Sequence, residues 1–379
     1  MSAKITVNGE CDPRFSRVRD AFIQNFEHHN EVGAATSIVV DGKCVVDLWA
    51  GDADQARTRP WNRDTIVNVW STTKGLCAMC AHRLADQGKL DLDAPVAKYW
   101  PEFAQGGKGS IPVTALLNHR AGLAAIRAPL KHEDIFNWTK VTGELARQEP
   151  WWTPGTKHGY HAITFGWLVG EVVRRVSGET CAALLQATTD TLEADLWFGV
   201  PPSEQHRCAD VIFVTTSLSE RVDFAELSGD ELMAMLSYFN PPGYSSMGVV
   251  NSPDWRAALV PSTNGHGTAG GIARLYAALL EHDRILSAGL LDEATSPQSH
   301  GYCPILGEEV TFGLGFKPTV PRRPFGPNQH SFGHFGTGGA VGFADPDAGI
   351  AFGYAMNHVI PRWQSSRNRA LIDALYGSL

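Results

Sequence analysis

Two apolar stretches near the start of the chain predict a pair of β-strands. The first, ATSIVV, covers residues 35–40, and the second, KCVVDLWA, covers residues 43–50. β-Branched and aromatic residues favour strands, and the Asp41-Gly42 pair between the stretches is typical of a two-residue hairpin turn. The pattern therefore predicts an antiparallel hairpin.

The middle of the chain has the spacing of helices. Helical patterns cover residues 76–84, 164–176 and 268–280. Gly178 follows the second pattern and Thr268 opens the third, and these residue types are common at helix ends and starts respectively. This part of the chain is predicted to be mainly helical.

Strand-like patterns return near the other end of the chain. GHFGTGGAVGFADP and GIAFGYAMN flank an Asp-Pro-Asp-Ala-Gly turn, and a helical pattern covers residues 364–376. Strands at both ends with helices between them predict a fold that contains both helices and a sheet, an α/β fold in the broad sense and α+β in the strict one. One sheet would be built from both termini, flanked by helices, with a helical region inserted.

Composition narrows the class of protein. The 379 residues are 43% hydrophobic and 19% charged, with a formal net charge of −8. An acidic chain without a Lys/Arg-rich run is not expected to bind nucleic acid. The chain has no apolar run long enough to span a bilayer, and its first residues lack a signal-peptide core. These features predict a globular protein of the cytoplasm with no membrane partner.

Seven scattered cysteines favour reduced thiols over a disulfide framework. Cys77 and Cys80 form a C-x-x-C motif. A redox or zinc site would need a second pair or a thioredoxin-like setting, and neither is visible. We therefore interpret both residues as helix packing.

Ser71 and Lys74 form a Ser-x-x-Lys pair in NVWSTTKG, where a strand-like run gives way to a helix. Residues three apart lie on one face of a helix, so the lysine amine can reach the serine hydroxyl. A serine becomes a good nucleophile when a base takes its proton, and a lysine with a lowered pKa is such a base. Taken alone, the pair also fits two polar residues on a helix surface.

Tyr160 is a second candidate, in a turn-rich loop before the helical pattern at 164–176. A phenol beside a lysine can relay a proton to a leaving group. The alternative is a tyrosine that only anchors the loop. His158 and His161 lie in the same loop, but no further ligand at suitable spacing supports a metal pair.

The third candidate is the glycine-rich stretch from Gly333 to Pro346. It lacks the G-x-G-x-x-G spacing of a dinucleotide site, and a strand follows it instead of a helix. Glycine in a strand allows close approach of a substrate and of an oxyanion to a backbone N–H, or it marks a bulge.

The three motifs together resemble the signatures of class C β-lactamases, penicillin-binding proteins and family VIII carboxylesterases. They are Ser71-x-x-Lys74, the Tyr160 motif and His334-Phe335-Gly336, supported by LLNHRAGL at 116–123. The resemblance extends from about residue 30 to residue 360 and implies a β-lactamase-like fold with an antiparallel sheet. It places residues 1–70 and 300–379 in a discontinuous α/β domain and 71–299 in a mainly helical domain, with the active site at their junction.

The resemblance also implies roles for individual residues. Ser71 would be acylated, with Lys74 and Tyr160 handling its proton. The backbone N–H groups of Ser71 and Thr337 would form the oxyanion hole. Substrate would contact His334, Phe335 and Gly336.

Two departures from the β-lactamase pattern bear on the substrate. His334 stands where those enzymes have the lysine of Lys-Thr-Gly, and Ala162 stands where they have an asparagine. The lysine would bind a carboxylate and the asparagine an amide, so their loss favours uncharged acyl esters. We therefore predict a serine carboxylesterase with weak or no β-lactamase activity.

Further residues are candidates for the pocket. Trp70 and Trp152 are predicted to line the acyl or alcohol site, although large aromatic residues often fill cores instead. His266, before the helical pattern at 268–280, is predicted to face the cleft, and His119 to order a turn.

Other functions fit the same motifs. The acyl-enzyme could pass its acyl group to an amine or alcohol, as in an acyltransferase or a D-amino-acid peptidase. A non-catalytic relative that binds acylated ligands is a further alternative. No cofactor is expected, the partner is a small ester, and a monomer or a homo-oligomer is equally compatible with the sequence.

Overall fold

The computed structural model describes residues 5–213, 226–243, 249–360 and 364–379. Its helices are α1 (Ser16–His28), α2 (Thr73–Asp86), α3 (Val113–Leu117), α4 (Trp138–Arg147), α5 (Thr164–Ser177), α6 (Cys181–Leu192), α7 (Gly229–Phe239), α8 (Pro253–Ala257), α9 (Ala269–Leu280), α10 (Ala288–Thr295) and α11 (Ser366–Tyr376). Its strands are β1 (Val7–Cys11), β2 (Gly33–Val40), β3 (Lys43–Gly51), β4 (Val67–Asn68), β5 (Leu196–Phe198), β6 (Ile212–Phe213), β7 (Gly265–Gly267), β8 (Ser299–Cys303), β9 (Glu308–Phe312), β10 (Lys317–Pro318), β11 (Phe332–Phe335), β12 (Val341–Asp345), β13 (Ile350–Met356) and β14 (His358–Val359).

Both ends of the chain build one antiparallel sheet. Within the described residues it has seven strands in the order β1-β3-β2-β13-β12-β11-β10. β2 pairs with β13 along its length, from Ala34 opposite Met356 to Val40 opposite Ile350. The predicted fold, with a sheet from both termini and helices between, is confirmed.

The turn between β2 and β3 is the one predicted from the sequence. Asp41 and Gly42 have φ angles of 48° and 75°, and two positive φ angles are those of the tight turn that suits paired, twisted strands. β1, which pairs with the outer edge of β3, was not predicted, because its sequence VNGEC lacks an apolar alternation.

The predicted helices are present with slightly different limits. α2 extends beyond the predicted 76–84 at both ends. α5 ends at Ser177, and the next residue, Gly178, has a left-handed φ of 78° as expected after a helix end. α9 begins after Thr268, whose side chain accepts a hydrogen bond from the N–H of Gly271 at 2.9 Å.

Glycines in the central strands let α9 lie directly on the sheet. A Cβ on Gly353 would be 2.2 Å from the carbonyl oxygen of Ala269, and one on Gly342 would be 2.5 Å from Cγ2 of Ile272. Such separations exclude any side chain. At these two positions the glycines serve helix packing. Gly342 lies in the stretch from Gly333 to Pro346, for which the sequence predicts either close approach of a substrate or a bulge.

The cysteines are free thiols. Cys77 and Cys80 are buried on α2, and the thiol of Cys80 lies 3.7 Å from the carbonyl oxygen of Cys181. This is the packing role expected for them. In the ranges given above, no three His, Cys, Asp or Glu side chains are grouped to hold a metal ion. None of the described helices has the length and apolarity needed to cross a membrane.

Candidate active site

Ser71 lies in a tight turn between a strand and a helix. Residues Trp70–Thr72 form a 3-10 turn that leads into α2. Trp70 has a φ of 51°, which is unusual for a bulky residue and costs about 1–3 kcal/mol. Its ring is buried and lies edge-on to Phe213, with the ring centroids 6.0 Å apart. The strained turn presents Ser71, which is 8% exposed, at the start of α2.

Lys74 lies one turn further along and is fully buried. Its Nζ donates hydrogen bonds to the carbonyl oxygens of Ala162 at 2.7 Å and Ser262 at 2.9 Å, and lies 3.3 Å from Oγ of Ser71. The predicted pair of Ser71 and Lys74 is therefore in contact. The two carbonyls come from distant parts of the chain and fix the amine in place.

Burial lowers the pKa of Lys74 well below its usual range, because the charged form loses its solvation. The charge of Lys317 lowers this pKa further, while Cys77 opposes the shift. In the described part of the chain, no carboxylate forms an ion pair with Lys74. The environment therefore favours the neutral amine that a general base requires.

Tyr160 lies beside this pair. Nζ of Lys74 is 4.7 Å from the centroid of the Tyr160 ring. The ring stacks on Phe312 at 6.0 Å and on His334 at 6.4 Å, and the backbone N–H of Tyr160 donates to Sγ of Cys303 at 3.2 Å. The structure thus brings the second predicted motif to the first.

The third motif, His334-Phe335-Gly336, lies at the end of β11. It packs against the Trp70–Thr72 turn that carries Ser71, called the serine turn below. Oγ1 of Thr72 donates to the carbonyl oxygen of His334 at 3.3 Å. Nδ1 of His334 lies 2.7 Å from the carbonyl oxygen of Phe335; since that oxygen only accepts, Nδ1 carries the proton and Nε2 is an acceptor. Burial holds the pKa of His334 well below its usual range, so the ring is neutral.

The backbone after this motif turns sharply toward Thr337. Residues Thr337–Gly339 form a short 3-10 turn in which Gly338 has a φ of 84°. Phe335 is buried and stacks on Phe325 at 4.5 Å, so its ring belongs to the core. The assignment of the Ser71 and Thr337 N–H groups to an oxyanion hole stays a prediction.

The histidines of the Tyr160 loop serve its structure. Nδ1 of His161 donates to the carbonyl oxygen of Gly159 at 2.7 Å, and its Nε2 accepts from the N–H of Leu123 at 3.1 Å. Nδ1 of His119 accepts from the backbone N–H of His161 at 3.1 Å. These bonds use both ring nitrogens of His161, and His119 orders the turn as expected.

The two remaining pocket candidates, Trp152 and His266, lie in different parts of the structure. Trp152 is buried with Tyr160 in one cluster and packs against Gly159, where a Cβ would be 2.7 Å from its ring. His266 lies in β7, paired with β4 and β5, and its Nδ1 donates to the carbonyl oxygen of Asn264 at 2.7 Å. Among the described residues, no hydrogen bond joins His266 to Ser71, Lys74 or Tyr160.

Two contributors to the site were missed in the sequence. The carbonyl of Ser262 holds Lys74, as described above. Lys317 is a buried lysine on β10, and its Nζ lies 5.7 Å from the centroid of the Tyr160 ring. Only the strand register reveals it, because Lys317 pairs with Gly333, the neighbour of His334.

The fold and the site define a class of proteins in which a serine at the start of a buried helix meets a lysine and a tyrosine beside an antiparallel sheet. A family model described as Beta-lactamase matches residues 19–376. The chain therefore belongs to the beta-lactamase family, as its motifs predicted.

Individual relatives are similar over nearly the whole chain. A solved structure of a family VIII carboxylesterase has a TM-score of 0.91 at 38% identity, covering 99% of this chain and 100% of that one. A penicillin-binding-protein homolog from Caulobacter crescentus has a TM-score of 0.90 at 36% identity, with coverage of 99% and 100%. Esterase/beta-lactamase LipL of Mycobacterium tuberculosis is 33% identical over 93% of this chain and 83% of its own length.

Proposed function

We propose that the protein is a serine carboxylesterase that hydrolyses short- to medium-chain acyl esters through a covalent acyl-enzyme on Ser71. The observation that carries the proposal is the set of contacts around Nζ of Lys74. A neutral amine has two N–H donors and one lone pair. Because the carbonyls of Ala162 and Ser262 accept the two N–H groups, a neutral amine keeps its lone pair for the proton of Ser71, whose Oγ lies 3.3 Å away.

In the first half of the reaction, Oγ of Ser71 attacks the ester carbonyl carbon and its proton passes to Nζ of Lys74. The N–H groups of Ser71 and Thr337 donate to the oxyanion that forms. The bond to the alcohol oxygen then breaks, and that oxygen takes the proton by way of the Tyr160 hydroxyl. Ser71 is left acylated and the alcohol departs.

In the second half, water attacks the acyl carbon and gives its proton to the same groups. The bond to Oγ breaks, Oγ regains a proton, and the carboxylic acid is released. One ester and one water thus become one acid and one alcohol. A relative that is a family VIII carboxylesterase and another named an esterase/beta-lactamase support this assignment.

The third motif and Ala162 favour uncharged acyl groups. His334 is neutral for the reason given above, and so offers no charge to a substrate carboxylate. Ala162 contributes its carbonyl to Lys74 but has only a methyl side chain, which cannot bind a substrate amide. We therefore expect weak or no turnover of β-lactams.

The test is intact-mass spectrometry after brief incubation with p-nitrophenyl butyrate or with a cephalosporin. Wild type should release nitrophenol and carry a butyryl adduct, with little cephalosporin turnover. Ser71→Ala should do neither, while Ser203→Ala, at an exposed serine, should behave as wild type. Equal nitrophenol release from Ser71→Ala would overturn the proposal.

A further inference from the structure

Lys317 is a second buried lysine near the proposed nucleophile, and the mechanism above does not use it. It lies on β10, opposite Gly333 of β11, and is 6% exposed. Its Nζ is 4.4 Å from the centroid of the Phe312 ring and 5.7 Å from that of the Tyr160 ring. The amine is therefore fixed against the same aromatic ring that Lys74 approaches.

Lys317 changes its protonation state near neutral pH. Burial lowers its pKa to about 7, and the positive charge of Arg323 acts in the same direction. Cys303 and Glu308 oppose the shift, although the Glu308 carboxylate is also held by Arg323 and by Arg322 at 3.1 Å. Lys317 is thus charged in mildly acidic solution and becomes neutral in alkaline solution.

The groups that face Lys317 respond to this charge. Burial is the main cause of the lowered pKa of Lys74 on α2 and of three histidines, His119, His158 and His334, and the charge of Lys317 lowers each of these pKa values further. Lys74 and Lys317 lie 4.7 Å and 5.7 Å from one ring centroid. Their Nζ atoms are therefore within about 10 Å of each other, where a unit charge changes a protonation equilibrium by roughly tenfold at an effective dielectric constant of ~20.

We propose that Lys317 is an electrostatic positioning residue of the site, whose ammonium group keeps the Lys74 amine unprotonated so that it can take the proton of Ser71 in neutral and mildly acidic solution. Lys317 acts through Lys74 and does not touch the reacting atoms. This inference rests on the proposed esterase function for its kinetic consequence, but the effect on Lys74 is independent of any substrate.

The kinetic test compares the pH dependence of kcat/KM for p-nitrophenyl butyrate in wild type, Lys317→Met and Lys317→Arg, with Lys140→Met as a surface control. Lys317→Met should lose about tenfold at pH 6 and approach wild type at pH 9, where Lys317 is itself neutral. Lys317→Arg should retain activity at pH 6. An equal loss at both pH values, or an unchanged profile, would overturn the proposal.

A second measurement does not need turnover. Lysine side-chain NMR of Ser71→Ala, with and without Lys317→Met, follows the protonation of Lys74 directly. The Lys74 signal should titrate about one pH unit higher when Lys317 is replaced. An unmoved titration contradicts the inference even if the esterase is active, whereas a shifted titration in a protein without esterase activity would reject only the proposed function.

Discussion

Gly336 lies so close to Val69 that a Cβ on the glycine would be 2.3 Å from the carbonyl oxygen of Val69. Val69 precedes the serine turn and Gly336 precedes Thr337. This contact therefore sets the separation between the two backbone N–H groups that we propose for the oxyanion hole.

Gly336→Ala should push these two segments apart. We expect kcat to fall by about 10²-fold, because oxyanion donors act only when they are accurately placed. Steady-state kinetics with p-nitrophenyl butyrate measures the loss. Gly289→Ala is the control, since a Cβ there meets nothing within 4 Å. Wild-type kcat in Gly336→Ala would show that the contact is irrelevant to the site.

Tyr160→Phe should remove the proposed proton relay and leave the fold intact. The ring would still stack on Phe312 and His334, so the melting temperature should stay near that of wild type. Loss of a proton-transfer group predicts a rate reduced by about 10²-fold or more. Tyr276→Phe, which removes another buried phenol, should retain activity. Comparable activity in the two variants would exclude the relay.

Lys74 should leave a signature in the pH dependence of stability. Its pKa is lowered in the folded protein, so the unfolded chain binds a proton that the native protein lacks. The free energy of unfolding should therefore rise with pH, relative to Lys74→Met, by up to about 1.4 kcal/mol per pH unit below the unfolded pKa.

Denaturant titrations between pH 7 and 10 measure this difference. Lys89→Met, at an exposed lysine, controls for the loss of a surface charge. A constant difference between wild type and Lys74→Met over this range would mean that Lys74 is protonated in the native protein.

Arg367 and Glu31 form a fully buried ion pair at 3.1 Å that joins α11 to the segment before β2. Burial raises the pKa of Glu31 to about 7, against the attraction of Arg367 and a hydrogen bond from Tyr354. Arg367→Met leaves the carboxylate without its cation and should destabilise the protein by about 3–5 kcal/mol at pH 8.

The same variant should be less destabilised at pH 5, because a protonated Glu31 needs no cation. Urea unfolding at the two pH values tests this sign. Arg369→Met, at a partly exposed position on the same helix, should cost less at both. A larger loss at pH 5 than at pH 8 would refute the explanation.

Local signals explain what could be predicted of the fold. Asp41-Gly42, Gly178 and Thr268 act on their immediate neighbours, so their effects are visible in sequence. β1 could not be predicted, because its strand conformation depends on pairing with β3 and not on its own sequence pattern. The sequence leaves the role of Gly342 open between substrate approach and a bulge, because it does not show that α9 lies against Gly342 and Gly353.

For the site too, contacts between near neighbours in sequence could be predicted, whereas contacts between distant segments could not. Ser71 and Lys74 are three residues apart, and helix geometry alone places them together. Tyr160 and His334 could be grouped with them only through the family resemblance. The sequence did not predict that Lys317 or the Ser262 carbonyl belongs to the site, because strand register and the path of a loop decide what a buried amine contacts.

The hydrogen bond from Thr72 to His334 joins residues 262 positions apart. During synthesis, the serine turn is made early, but its partner segment emerges only after most of the chain. An incomplete chain would thus carry Ser71 without the backbone turn at Thr337 that we propose for the oxyanion hole. The proposed catalysis therefore requires both ends of the chain to be folded together.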